Sequence, residues 1–67
     1  MKRRMVDVEI KIKHETEKAY LVENEITTSP VWIPKLINGE EYEVDEGERG
    51  WAVITVPEWW ATEKGIV

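Results

Sequence analysis

Between residues 5 and 14 apolar and polar side chains alternate, with Val6, Val8, Ile10 and Ile12 set against Asp7, Glu9, Lys11 and Lys13. A period of two in β-branched residues predicts a half-buried strand. The polar run Glu15-Thr16-Glu17 then turns the chain. Residues 18–24 predict a second strand, with Ala19 and Leu21 on one face and Tyr20 and Val22 on the other. Apolar character on both faces places it centrally in a small sheet, or at a barrel corner. Residues 23–29 are a loop, with Ile26 the side chain expected to turn inward.

Prolines bracket the next apolar run, Pro30-Val31-Trp32-Ile33-Pro34. Proline has no N–H for a ladder and forces the residue before it to extend, so this is a short edge strand. Lys35-Leu36-Ile37 continues it or turns, and Asn38-Gly39 is a turn signal. Residues 40–44 form a weaker strand, with Tyr42 and Val44 on one side and glutamates on the other. A charged, glycine-bearing turn over residues 45–50 leads into Trp51 to Val56, apolar except for Thr55 and so central, or buried on both faces. Pro57 suits the first position of a helix over residues 57–64. Glu58 in its first turn and Lys64 in its last complement the helix dipole. Gly65 is placed to end it in the left-handed conformation, with Ile66 folding back onto Ala61.

Five short strands and one helix in 67 residues predict a single, mostly β domain. The expected form is a five-stranded bent sheet or barrel, SH3-like or OB-like, with a short C-terminal helix. Such a unit buries only about 60% of its extended surface, so its large apolar groups matter individually. There are four tryptophans, no phenylalanine and no cysteine. Disulfides and thiolate metal sites are therefore excluded, and a single histidine offers no zinc constellation. No cofactor is implied.

Charge is divided unevenly. Residues 1–20 hold six Lys/Arg against four Asp/Glu, whereas residues 21–67 hold three against ten. An acidic chain is a poor general ligand for duplex DNA, whose binding depends on neutralising phosphates. Lys2-Arg3-Arg4 lacks the apolar continuation of a signal peptide, and no apolar run reaches transmembrane length, so a cytoplasmic, soluble protein is expected. As an arm the same three residues either reach phosphates or remain a solvated terminus.

Two candidate surfaces follow. Trp59 and Trp60 are adjacent on the helix and point about 100° apart, so one faces the core while the other sits at its margin or meets a partner. With Trp32 they form a candidate protein-binding set. Alternatively Trp32 and Trp51 stack on unpaired bases while Lys11, Lys13, Lys18 and Lys35 track the phosphates, or these tryptophans simply fill the core. The carboxylates Glu40, Glu41, Glu43, Asp45, Glu46 and Glu48 lack the ligand spacing and fixed glycine of an EF-hand loop and suit a solvated acidic hairpin. His14 has no partner motif. No residue cluster supplies a nucleophile with its base, so an enzyme is not expected.

Three segments carry a resemblance: residues 15–22 (ETEKAYLV), residues 31–35 (VWIPK), and Ile54-Thr-Val-Pro-Glu-Trp59 with Glu63-Lys-Gly-Ile66. Together they resemble small uncharacterised proteins of phages, plasmids and prokaryotic genomes, whose pattern is a "KA.LV" strand, a "W.PKSQI" segment and an "IPEWLA..KGL" tail. Here Leu36-Ile37 replaces the serine-glutamine, and Trp60 stands where leucine is expected. The resemblance implies a compact cytoplasmic binding module; such proteins are loosely associated with mobile-element and DNA-processing gene neighbourhoods. Two functions are carried forward: a non-catalytic module binding a protein partner or its own copy, and a single-stranded nucleic-acid binder.

Overall fold

The computed structural model describes residues 4–67. Its elements in chain order are β1 (Met5–Glu15), β2 (Ala19–Glu23), β3 (Val31–Pro34), β4 (Leu36–Ile37), β5 (Glu40–Glu41), β6 (Glu43–Glu46), β7 (Trp51–Pro57) and the helix α1 (Glu58–Lys64). Five strands form one antiparallel sheet in the order β3-β2-β1-β7-β6, while β4 and β5 pair as a separate hairpin. The sheet is open. Of the two forms expected, bent sheet and closed barrel, the chain takes the first, and β3 and β6 are its free edges.

The alternation in β1 sets the whole arrangement. Val6, Val8 and Ile10 lie opposite Val56, Ile54 and Ala52 of β7, so all six share one face. Val22 and Ile33 join that face from β2 and β3, and Ile10, Val22, Ile33, Ile54 and Val56 are fully enclosed. No polar or charged residue is buried among those described. Both β2 and β7 are internal strands, as their apolar runs require. The outer face of β7, however, is only half-covered at Trp51, Val53 and Thr55, so it is not buried on both sides.

Three local expectations change. The strand expected over residues 40–44 breaks at Tyr42, because Glu40 and Glu41 pair back across Asn38-Gly39 while Glu43 onward joins β7. Asn38 (φ 51°) and Gly39 (φ 81°) both take the positive φ that a two-residue hairpin turn demands. Ile26 does not turn inward; it is 58% exposed. Asn24 explains this, because its side-chain oxygen accepts the N–H groups of Ile26 and Thr27, curling the loop away from the core. Pro57 is the N-cap residue rather than the first helical one, with an extended ψ of 138°.

The helix closes the apolar face, packing on β1 and β7. Alone, two turns would not persist in water. Trp60 and Ala61 hold it down, and Gly65 ends it with φ 75°. The Ile66 N–H donates to the Ala61 carbonyl at 3.1 Å, and the Ile66 side chain is 1% exposed. Asn24 fastens the tail, its Nδ2 donating to the Glu9 carbonyl at 3.1 Å and the Ile66 carbonyl at 2.9 Å. Of the basic N-terminal arm, Lys2 and Arg3 lie outside the described residues, while Arg4 approaches Glu58 at 3.6 Å.

Candidate binding surfaces

Strand register places the candidate side chains. Residues directly opposite one another share a face, so the outer face of the sheet is built in rows. Asp7, Thr55 and Glu43 form one row, and Glu9, Val53 and Asp45 form the next. Glu23, Lys11 and Trp51 form a third. Then β1 bulges between Ile12 and His14. The extra residue brings His14, rather than Lys13, opposite Leu21, which itself lies opposite Trp32. His14 and Trp32 meet edge to face, with ring centres 6.1 Å apart and planes at 86°. The strand alternation alone gives no sign of this contact, because the bulge resets the register.

Trp32 and Trp51 thus share a face, but they are not neighbours. Three strand spacings separate β3 from β7, roughly 14 Å across the sheet. Lys11 stands between them beside Glu23. Lys13 is exposed at the bulge, and Lys18 is exposed in the turn before β2. Lys35 lies elsewhere: its ammonium donates to Glu15 at 2.6 Å and sits 4.9 Å from the centre of the Tyr20 ring. The Glu15 carboxylate that accepts this bond holds the Lys35 pKa above its ordinary value. The four lysines therefore do not form one track with the two tryptophans.

On the helix the adjacent tryptophans divide. Trp60 is 4% exposed and packs on Tyr42, ring centres 5.5 Å apart, with the Lys64 ammonium 5.8 Å from its ring centre. It belongs to the core and leaves the set of partner-facing candidates. Trp59 is 47% exposed and Trp32 50%.

A second feature lies where a barrel would have closed. A cleft of about 870 Å³ is lined by Tyr20, Pro34, Lys35, Leu36, Tyr42 and Val44, among others. Tyr42 spans it, its hydroxyl donating to the Pro34 carbonyl at 2.7 Å. Burial pushes the Tyr42 pKa well above the usual phenol range, so the hydroxyl stays a donor. Nothing in the sequence pairs Tyr20 with Tyr42, since only the folding of β3 toward β6 brings them into one cleft.

Among the described residues no group of three or more His, Cys, Asp or Glu side chains converges as a metal site would require. No helix is long and apolar enough to cross a membrane. No protein-family model, no curated protein and no solved structure matches the chain.

Proposed function

We propose that the chain is a non-catalytic module that binds a protein partner through a tryptophan-bearing, partly acidic surface. The observation that carries this reading is the half-exposure of Trp32 on the carboxylate-bearing outer face of so small a fold, with Trp59 half-exposed on the helix that covers the opposite face. Large aromatic side chains left in water are typical centres of protein interfaces. Around Trp32 the partner meets Leu21 and His14, and beyond them carboxylates on the same face. The partner's complementary surface is therefore apolar at its centre and basic at its rim. Likeness to small phage and plasmid proteins suggests a mobile-element setting.

Single-stranded nucleic acid is the second reading, favoured by the common face of Trp32, Trp51 and Lys11. Among the described residues the same face carries Asp7, Glu9, Glu23, Glu43 and Asp45, which repel phosphates and outnumber Lys11 and the bulge residue Lys13. Charge therefore ranks protein first. The test is affinity capture from cells of the source organism with the native chain and with Trp32→Ala/Trp59→Ala. A partner held by the native chain and lost by the folded variant supports the reading; capture unaffected by the double substitution refutes it.

A further inference from the structure

The two free edges of the sheet differ in what they offer. On β3 the Lys35 N–H donates to the Lys18 carbonyl at 2.9 Å. By alternation, residues 31, 33 and 35 turn their backbone groups toward β2, and residues 30, 32 and 34 turn theirs outward. Pro30 and Pro34 have no N–H to present there. The Pro34 carbonyl is already taken by Tyr42. Trp32 is the one donor left on that edge, which is closed to further pairing.

Strand β6 is the reverse. The Gly47 N–H donates to the Trp51 carbonyl at 2.7 Å, and on the other side of β7 the Ile12 N–H donates to Gly50 at 2.8 Å. Both bonds set the same alternation: residues 43, 45 and 47 face β7, while Val44 and Glu46 direct N–H and C=O outward. No strand among the described residues takes them, for β6 ends the sheet order. The edge contains no proline. Beside it lies the cleft, with Val44, Tyr42, Tyr20, Leu36 and Pro34 in its wall.

Charge selects the occupant. Glu43 and Asp45 are exposed on the outer face of β6, and Glu46 is exposed at its end. A second copy of β6 laid alongside would oppose like carboxylates, which is destabilising. A strand of opposite charge would not meet that barrier. We propose that β6 adds an extended peptide in which Lys or Arg alternates with apolar residues, the apolar side chain opposite Val44 entering the cleft. Basic residues of that strand lie opposite Glu43 and Asp45, because directly opposed residues share a face. Backbone hydrogen bonds hold the strand and the alternation selects it. The proposal rests on the reading of the chain as a protein-binding module; it shares Glu43 and Asp45 with the acidic face around Trp32 but requires neither Trp32 nor Trp59.

The test is a titration of ¹⁵N-labelled protein with a capped Lys-Val-Lys-Val-Lys-Val-Lys peptide at low salt, followed by amide shifts. Saturable shifts centred on Tyr42, Val44 and Glu46 are expected, with no binding by the Glu-Val analogue. Val44→Pro removes one outward donor, leaves the β7 ladder intact, and should weaken binding about tenfold. Glu43→Lys/Asp45→Lys keeps the backbone and should weaken binding comparably, so the proposal does not depend on the proline variant folding. Absence of saturable shifts, equal binding of the Glu-Val analogue, or indifference to both variants would overturn it. If the peptide fails while a Trp32- and Trp59-dependent partner is still captured, the edge proposal alone falls. Peptide binding at β6 without any tryptophan-dependent capture would uphold the edge and reject the tryptophan surface.

Discussion

Replacing each of the adjacent tryptophans in turn separates their two roles. Trp60 is 4% exposed, so Trp60→Ala gives up nearly all of the roughly 150–250 Å² that a tryptophan buries. At about 25 cal/mol per Å² this is roughly 4–6 kcal/mol, and measured Trp→Ala losses in cores run about 3–5 kcal/mol. A chain of 67 residues has a total stability of roughly 3–10 kcal/mol. Trp60→Ala should therefore leave a largely unfolded protein, with the helix lost first because its hold on the sheet is gone. Trp60→Phe keeps a ring against Tyr42 and should cost about 1–2 kcal/mol, enough to shift a urea midpoint without abolishing the transition. Trp59→Ala loses only the covered half of its ring and regains helix propensity, for a net cost under about 1 kcal/mol. Urea denaturation followed by far-UV circular dichroism reads all three. If Trp59→Ala proved as damaging as Trp60→Ala, the assignment of core and surface tryptophan would be refuted.

Other perturbations test the remaining parts of the account. Asn24→Asp removes both donors that tie the tail to β1 and sets a carboxylate against the carbonyls of Glu9 and Ile66; a loss of about 1–3 kcal/mol is expected, with faster hydrogen exchange at Ile66. Gly65→Ala meets no atom within 4 Å, so it should cost only the left-handed penalty of about 1–2 kcal/mol, whereas at Gly50 the added carbon also lies 3.2 Å from the Ile12 carbonyl. Gly50→Ala should therefore lower the melting temperature more than Gly65→Ala, and the reverse order would contradict the close approach. Tyr42 binds its proton more tightly folded than unfolded. Its contribution is thus fully present below the unfolded value of about 10 and is lost as pH rises through the folded one. Alkaline titration of stability should show this fall, and Tyr42→Phe should remove that part of the slope.

The period-two signal in β1 and the proline bracket of β3 made the strands legible, because each states directly which side chains or N–H groups face where. The C-terminal turn was legible for the same reason: Gly65 and Ile66 have the spacing that a left-handed cap requires. That one tryptophan of the helix must be exposed followed from geometry, though not which one. The bulge near Lys13 was hidden, since an extra residue in a ladder leaves no mark on the alternation around it. So were the cleft and the Tyr42 bridge, which depend on how far the sheet bends before its edges meet. Ile26 misled because its apolar character pointed inward, while Asn24, two residues earlier, decided the loop by hydrogen bonding. Charge alone groups Lys35 with the other lysines, whereas its ion pair with Glu15 separates it from them.

The most direct test of the central claim, that the tryptophan face serves a protein rather than phosphates, needs only the pure protein and oligo-dT. Tryptophan fluorescence is followed during titration at low and moderate salt. The carboxylates flanking Trp32 and Trp51 predict no saturable quenching at either salt. Quenching that saturates, weakens as salt rises, and disappears in Trp32→Ala and Trp51→Ala would contradict the claim and make this face a single-strand binding surface.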